Sequence, residues 1–151
     1  MKNVLHEPDA AMLSQMISVY KEYPIDEERR IDIVLTGNGR FIPVEVKIYA
    51  GEQQAQCCDY YQYAVKRDKD TYVVYLTLHG TMPSKYSLGS KDGSYMLDLS
   101  NVKTISFENE IAGWLQELEW MEKNPVLVST LHQYRQAIRF VSGDLRERQK
   151  M

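Results

Sequence analysis

Two carboxylates and an amine, Asp32, Glu45 and Lys47, flank a short turn in the stretch RRIDIVLTGNGRFIPVEVK, residues 29–47. Acids on neighbouring strands with a lysine beside them could hold a divalent cation and orient a water, the equipment of phosphodiester hydrolysis. Whether they meet depends on how the chain between them folds. Asn38-Gly39 is a strong two-residue hairpin signal, because both central positions of a type I′ turn need positive φ. With that loop, Gly37 pairs with Arg40, Leu35 with Ile42, Ile33 with Val44 and Ile31 with Val46. Those apolar residues then share one face. On the other face the register sets Asp32 across from Glu45, and Lys47, two residues on, points the same way.

Acids directly opposed on a ladder have Cβ atoms roughly 4.5–5.5 Å apart and repel, so such a pair calls for a compensating cation. Oxygen donors without a nearby thiolate or imidazole suit Mg²⁺ or Mn²⁺ better than zinc. The plainer alternative is a solvated strand face with one salt bridge. Pro43 cannot donate to a ladder, and a bulge there would shift the pairing by one.

The chain of 151 residues is long enough for one domain with a real core, and 1–151 reads as a single domain. A net charge of −3 gives no overall basic footprint, so a nucleic-acid protein of this composition needs a local basic patch. The adjacent Cys57 and Cys58 make neither a disulfide framework nor a zinc knuckle, and suit burial on a helix in a reducing compartment. There is no apolar run of membrane-spanning length and no basic-then-apolar start, which makes cytoplasmic the expectation and a membrane partner not expected.

Apolar spacing predicts a helix from about Asp9 to Tyr20, stopped by Pro24, and a second from about Gly51 to Lys66. TYVVYLTL, residues 71–78, reads as an interior strand, and residues 79–93 as a loop. Tyr95–Leu99 and Lys103–Phe107 are weaker strand candidates. Ile111 to Met121 forms a helix, with Trp114 and Trp120 read as packing. The last helix has Asn124 as N-cap, Pro125 first, and Gly143 placed to end it before a charged, fraying tail at 144–151. A sheet between helices makes this an α/β protein.

Arg30-Ile31-Asp32-Ile33, Glu45-Val46-Lys47-Ile48 and Gln56-Cys57-Cys58-Asp59-Tyr60-Tyr61 together resemble the PD-(D/E)XK nuclease superfamily. More narrowly, they look like a branch of uncharacterised bacterial and phage proteins. YLTLHGTMPS, ISFENEIAGWL and LHQYRQAIRFVSG extend the similarity from about Glu7 to Gly143. Position 57 departs from the branch, being Cys where Leu is usual. The resemblance implies a restriction-endonuclease-like α/β core: a mixed central sheet flanked by helices, with two C-terminal helices.

It also implies a Mg²⁺- or Mn²⁺-dependent nuclease, a hydrolase acting on DNA. Asp32, Glu45 and the Val46 carbonyl would be metal ligands, and Lys47 and Gln56 would join Asp32 and Glu45 as catalytic residues. Glu7, or failing that Glu22, would be the acid from the first helix, against the plainer role of an acid at a helix start. Arg30 and Arg40 would hold phosphates and Tyr60 a base, against the plainer readings of surface charge and core aromatic. The rival function is a protein that keeps this fold only to bind nucleic acid or a protein. A third reading has the last two helices pair with a second copy as a homodimer.

Overall fold

A computed structural model of the chain describes residues 18–150, with side chains through Gly143. Five strands form one sheet in chain order: β1 Ser18–Pro24, β2 Arg30–Gly37, β3 Arg40–Lys47, β4 Val73–Thr77 and β5 Val102–Ser106. The first three pair antiparallel; β3–β4 and β4–β5 pair parallel. Helix α1, Gln56–Val65, is the crossover that parallel pairing of β3 and β4 requires. A short helix α2, Lys85–Leu88, and a 3₁₀ turn lie between β4 and β5. A π-helical turn, Phe107–Ile111, then leads into α3, Ala112–Met121, and α4, Pro125–Lys150.

The sheet separates two cores. On one face Leu35, Ile42, Val44, Val74 and Leu76 pack against Ile111, Leu115 and Ile138 of the C-terminal helices. On the other, Ile31, Val34, Phe41, Val73 and Tyr75 pack against Cys57, Tyr60 and Ala64 of α1. Burial on both faces explains why β4 is apolar up to its last residue, Thr77, and all five of its residues are buried. No helix among the described residues is long and apolar enough to cross a membrane.

The hairpin turn forms as expected, with Asn38 and Gly39 at φ 50° and 75°. Ile33–Val44, Val34–Pro43, Leu35–Ile42 and Gly37–Arg40 pair in the expected register. Pro43 makes no bulge. A two-residue loop puts Val34 and Pro43 at a non-hydrogen-bonded position, so the missing N–H faces β4, whose pairing starts only at Val44.

The break comes instead at Asp32. The β2–β3 ladder stops at Ile33–Val44, and Ile31 packs in the α1-side core with Val34, not in the opposite core beside Ile33. Strand β1 breaks at the matching point. Lys21 pairs with Ile33 and Tyr23 with Ile31, but Glu22 and Asp32 between them do not pair, and Glu22 sits at φ 51°. The rings of Tyr20 and Tyr23 meet at 6.0 Å, a contact that strict alternation across a strand would forbid. Both strands therefore swap faces at one place, and Asp32 stands there.

Other expectations are corrected. Most of the expected first helix, residues 9–17, lies outside the described residues; Ser18–Tyr20 belong to β1, whose β-branched and aromatic residues pair with β2. Helix α1 starts only at Gln56, after Ala55 in a left-handed conformation. Tyr95–Leu99 is not a strand, and Gly89–Met96 is an isolated bridge. Gly143 does not end the last helix, which runs to Lys150, while Asn124 does cap its start by accepting from the Val126 N–H at 3.0 Å. Trp120 is 74 % exposed and packs no core.

Candidate metal and phosphate site

The face swap decides where Asp32 points. Its Oδ2 accepts the Val46 N–H at 2.8 Å, replacing the ladder bond that the interrupted pairing leaves out. Asp32 is thus tied to the backbone between Glu45 and Lys47. This is a different meeting of the same residues from the expected side-by-side pair. Glu45 and Lys47, two apart on β3, lie on one side, and Lys47 Nζ is 2.7 Å from Glu45 Oε1.

Glu45 is 1 % exposed, and among the described residues its other oxygen, Oε2, has no partner at hydrogen-bond geometry, although the Tyr60 hydroxyl nearby eases the charge of this carboxylate. Burial pushes its pKa above the ordinary glutamate value; the Lys47 hydrogen bond opposes the rise and the charge of Asp32 adds to it. Gln56 enters from the first turn of α1. It is buried, its Nε2 donates to the Tyr60 hydroxyl at 3.1 Å, and its Oε1 is unpartnered among the described residues. Tyr60 in turn donates to the Arg30 carbonyl at 2.5 Å. Burial first, then the Glu45 charge, drives the Tyr60 phenol pKa up, so it stays a neutral donor.

The fold therefore gathers Asp32, Glu45, Lys47 and Gln56 where β2 and β3 part beside the start of α1. A buried carboxylate oxygen and a buried amide oxygen without partners are costly. Next to a second carboxylate they form a donor set of hard oxygens that fits a divalent cation. Among the described residues no three His, Cys, Asp or Glu side chains converge on one point, so a cation here would also need backbone or water oxygens. The Val46 carbonyl belongs to this stretch. Glu7 lies outside the described residues. Glu22 is exposed on β1, at the position level with Asp32.

The expected nucleic-acid contacts fare differently. Tyr60 is 1 % exposed, so its ring offers no stacking surface, and the plainer core reading holds. Arg40 is buried at the far end of β3, its Nε 2.7 Å from Asp68 Oδ2 and its Nη2 donating to the Asp70 carbonyl. Arg30 is exposed. Arg29 is committed to Asp59 and the Gln54 carbonyl, pinning the β1–β2 loop to the entry of α1. Cys57 and Cys58 are buried free thiols, and burial holds the Cys57 pKa at about 11, far from nucleophile range.

Sequence reasoning missed Glu52. Its Oε1 accepts from the Tyr75 hydroxyl at 3.2 Å and the Ser84 N–H at 2.7 Å, and its Oε2 takes the Ser84 hydroxyl. Glu52 thereby fixes the loop before α2 against the sheet. It sits in a segment of ordinary loop composition, and no spacing in the sequence distinguishes it from a solvated acid. A larger hollow of about 510 Å³ lies on the outer side of α1, between Asp59, Tyr63 and Lys91, and includes none of Asp32, Glu45, Lys47 or Gln56.

A family model described as the PD-(D/E)XK nuclease superfamily matches residues 2–136, a span that includes every residue of this cluster. Searches of curated proteins and of solved structures give no match.

Proposed function

Because the chain belongs to the PD-(D/E)XK nuclease superfamily, we propose that the Asp32–Glu45–Lys47–Gln56 cluster is the active centre of a divalent-metal-dependent nuclease acting on DNA. The observation that carries this reading is the buried Glu45 carboxylate, which gives one oxygen to Lys47 and leaves the other, among the described residues, without a partner beside Asp32. Asp32, Glu45 and the Val46 carbonyl would hold Mg²⁺ or Mn²⁺. Such an ion supplies Lewis acidity toward the scissile phosphate and a more acidic water.

The chain's own residues do the rest. Asp32 is locked by the Val46 N–H, so it is placed before substrate arrives, and its geometry needs no reorganisation. Lys47 is held by Glu45 with further N–H donors free for a phosphate oxygen or the attacking water. As charge grows on the phosphoryl oxygens, that ammonium stabilises it. Gln56, fixed by Tyr60, presents its amide oxygen as an acceptor for the water or for Lys47.

The test is cleavage of plasmid and single-stranded DNA in Mg²⁺ and in Mn²⁺, with Lys47→Ala alongside. Metal-dependent cutting that the variant loses is the expected result, and equal cutting by both proteins would end the assignment. A second reading is a protein that keeps the fold only to bind nucleic acid or a protein, and the net charge of −3 favours it. Calorimetric titration with Mn²⁺ separates the two, since a protein of the second kind takes up no ion at Asp32 and Glu45.

A further inference from the structure

Past Lys47 the parallel strands end at a cavity of about 250 Å³, lined by Lys47, Ile48, Glu52, Tyr75, Thr77 and Met82 among others. In open α/β sheets the carboxyl ends of parallel strands are where ligands are received. Here Lys47 is level with Thr77 on β4, so the cavity opens directly beside the lysine of the proposed active centre. Its far wall is steady: the Thr81 N–H donates to Thr77 Oγ1 at 2.8 Å across a turn in which Gly80 takes φ 78°.

Two properties of the walls point to the occupant. Ile48 and Met82 are 40 % and 55 % exposed, an apolar pair beside a charged site. Glu52 adds a carboxylate, already oriented by Tyr75 and Ser84, and among the described residues its Oε2 accepts only the Ser84 hydroxyl. Lys47 offers a phosphate one charge where the cavity meets the active centre, but Glu52 would repel it from the rest of the recess, and Ile48 and Met82 would add nothing. A flat apolar ring with N–H donors on its edge satisfies both.

We propose that this cavity takes an unstacked nucleobase of the substrate strand, next to the scissile phosphate, and favours a base with an exocyclic amino group. Ile48 and Met82 contact the ring face, and Glu52 accepts from the amino group. A base inside a duplex cannot reach such a recess without leaving its stack, so the preferred substrate is single-stranded. The inference rests on the nuclease reading of the neighbouring cluster and specifies what that cluster is offered.

The test uses fluorescence anisotropy of labelled oligo-dC, oligo-dT and a duplex with the full chain in EDTA, then cleavage of the same strands in Mn²⁺. Cytosine and thymine are both pyrimidines, and the first carries an amino group where the second carries a carbonyl. Oligo-dC is expected to bind roughly fivefold to tenfold more tightly than oligo-dT, with the duplex weakest. The double variant Ile48→Ala/Met82→Ala should raise Kd and KM for oligo-dC by a similar factor, while kcat stays within about twofold. Both side chains are exposed, so the fold should tolerate it. Glu52→Gln should erase the dC preference. Equal binding of dC and dT, tighter binding of duplex, or cutting unaffected by these variants would overturn the inference and leave the nuclease reading standing. A dC preference without metal-dependent cutting would keep the base site and remove the nuclease. No binding of any strand would remove the base site.

Discussion

Strand β3 carries a buried ion pair near each end, and the two are finished differently. At its start, Arg40 Nε lies 2.7 Å from Asp68 Oδ2. That oxygen also accepts the Phe41 N–H at 3.1 Å, Asp68 Oδ1 accepts from Asp70, and the guanidinium donates to the Asp70 carbonyl and lies over the Tyr72 ring. At its end, Lys47 and Glu45 meet at the same 2.7 Å, but Glu45 Oε2 and the nearby Gln56 Oε1 are left without partners among the described residues. Distance and burial do not distinguish them; completion does. The Arg40 cluster spends its hydrogen-bonding capacity on the protein, as a structural pair must to offset desolvation. The Glu45 cluster holds capacity in reserve, which costs stability unless something binds.

The contrast predicts opposite consequences for removing the cation from each pair. Arg40→Ala leaves Asp68 buried without its counter-charge and should cost about 3–5 kcal/mol in urea unfolding, with the activity of the folded fraction unchanged. Lys47→Ala should lower kcat by about 10²–10³, or 2.7–4 kcal/mol on the barrier. It should cost less stability than Arg40→Ala, because Glu45, its pKa already raised by burial, can take up a proton instead of staying charged. If the two variants lose equal stability and Lys47→Ala keeps its rate, the distinction between the pairs is void.

Glu45 also gives the site a pH signature. Burial favours its neutral form, so between the ordinary glutamate value and the raised one the folded protein holds more protons than the unfolded chain. Stability from this group is present below that window and is lost as pH rises through it. In the metal-free protein, thermal melts should show Glu45→Gln gaining on wild type as pH climbs from acid to neutral. Mn²⁺ should reverse the order at neutral pH by stabilising only wild type, and its affinity should fall as Glu45 protonates. A Tm difference independent of pH and metal would make Glu45 a merely structural acid.

Most of the frame was legible because it is local. Asn38-Gly39 needs positive φ at both positions, and that turn fixes the register from Gly37–Arg40 to Ile33–Val44. The alternating apolar pattern then puts Glu45 and Lys47 on one side. The fault at Asp32 was not legible: it coincides with a break at Glu22 in a third strand, β1, and residues 18–20 carry a spacing compatible with a helix. Tyr60 and Arg40 were misjudged as nucleic-acid contacts for a related reason. Phenol and guanidinium look alike in sequence whether they face solvent or a partner, and the partners, the Arg30 carbonyl and Asp68, lie 30 and 28 residues away.

The smallest expected effect concerns the paired break itself. Glu22 takes φ 51° within a strand, a conformation that glycine adopts freely and a side chain with a Cβ does not. If the residue serves only the geometry that turns Asp32 toward the Val46 N–H, Glu22→Gly should raise stability by up to about 1 kcal/mol, with Mn²⁺ affinity and kcat unchanged. Strained backbone is often kept where a side chain is needed, and Glu22 lies level with Asp32. A glycine variant that is more stable but binds Mn²⁺ several-fold more weakly would show that the carboxylate reaches the site when an ion is present. Glu22→Gln settles which property matters, because it keeps the Cβ and the strain while removing the charge.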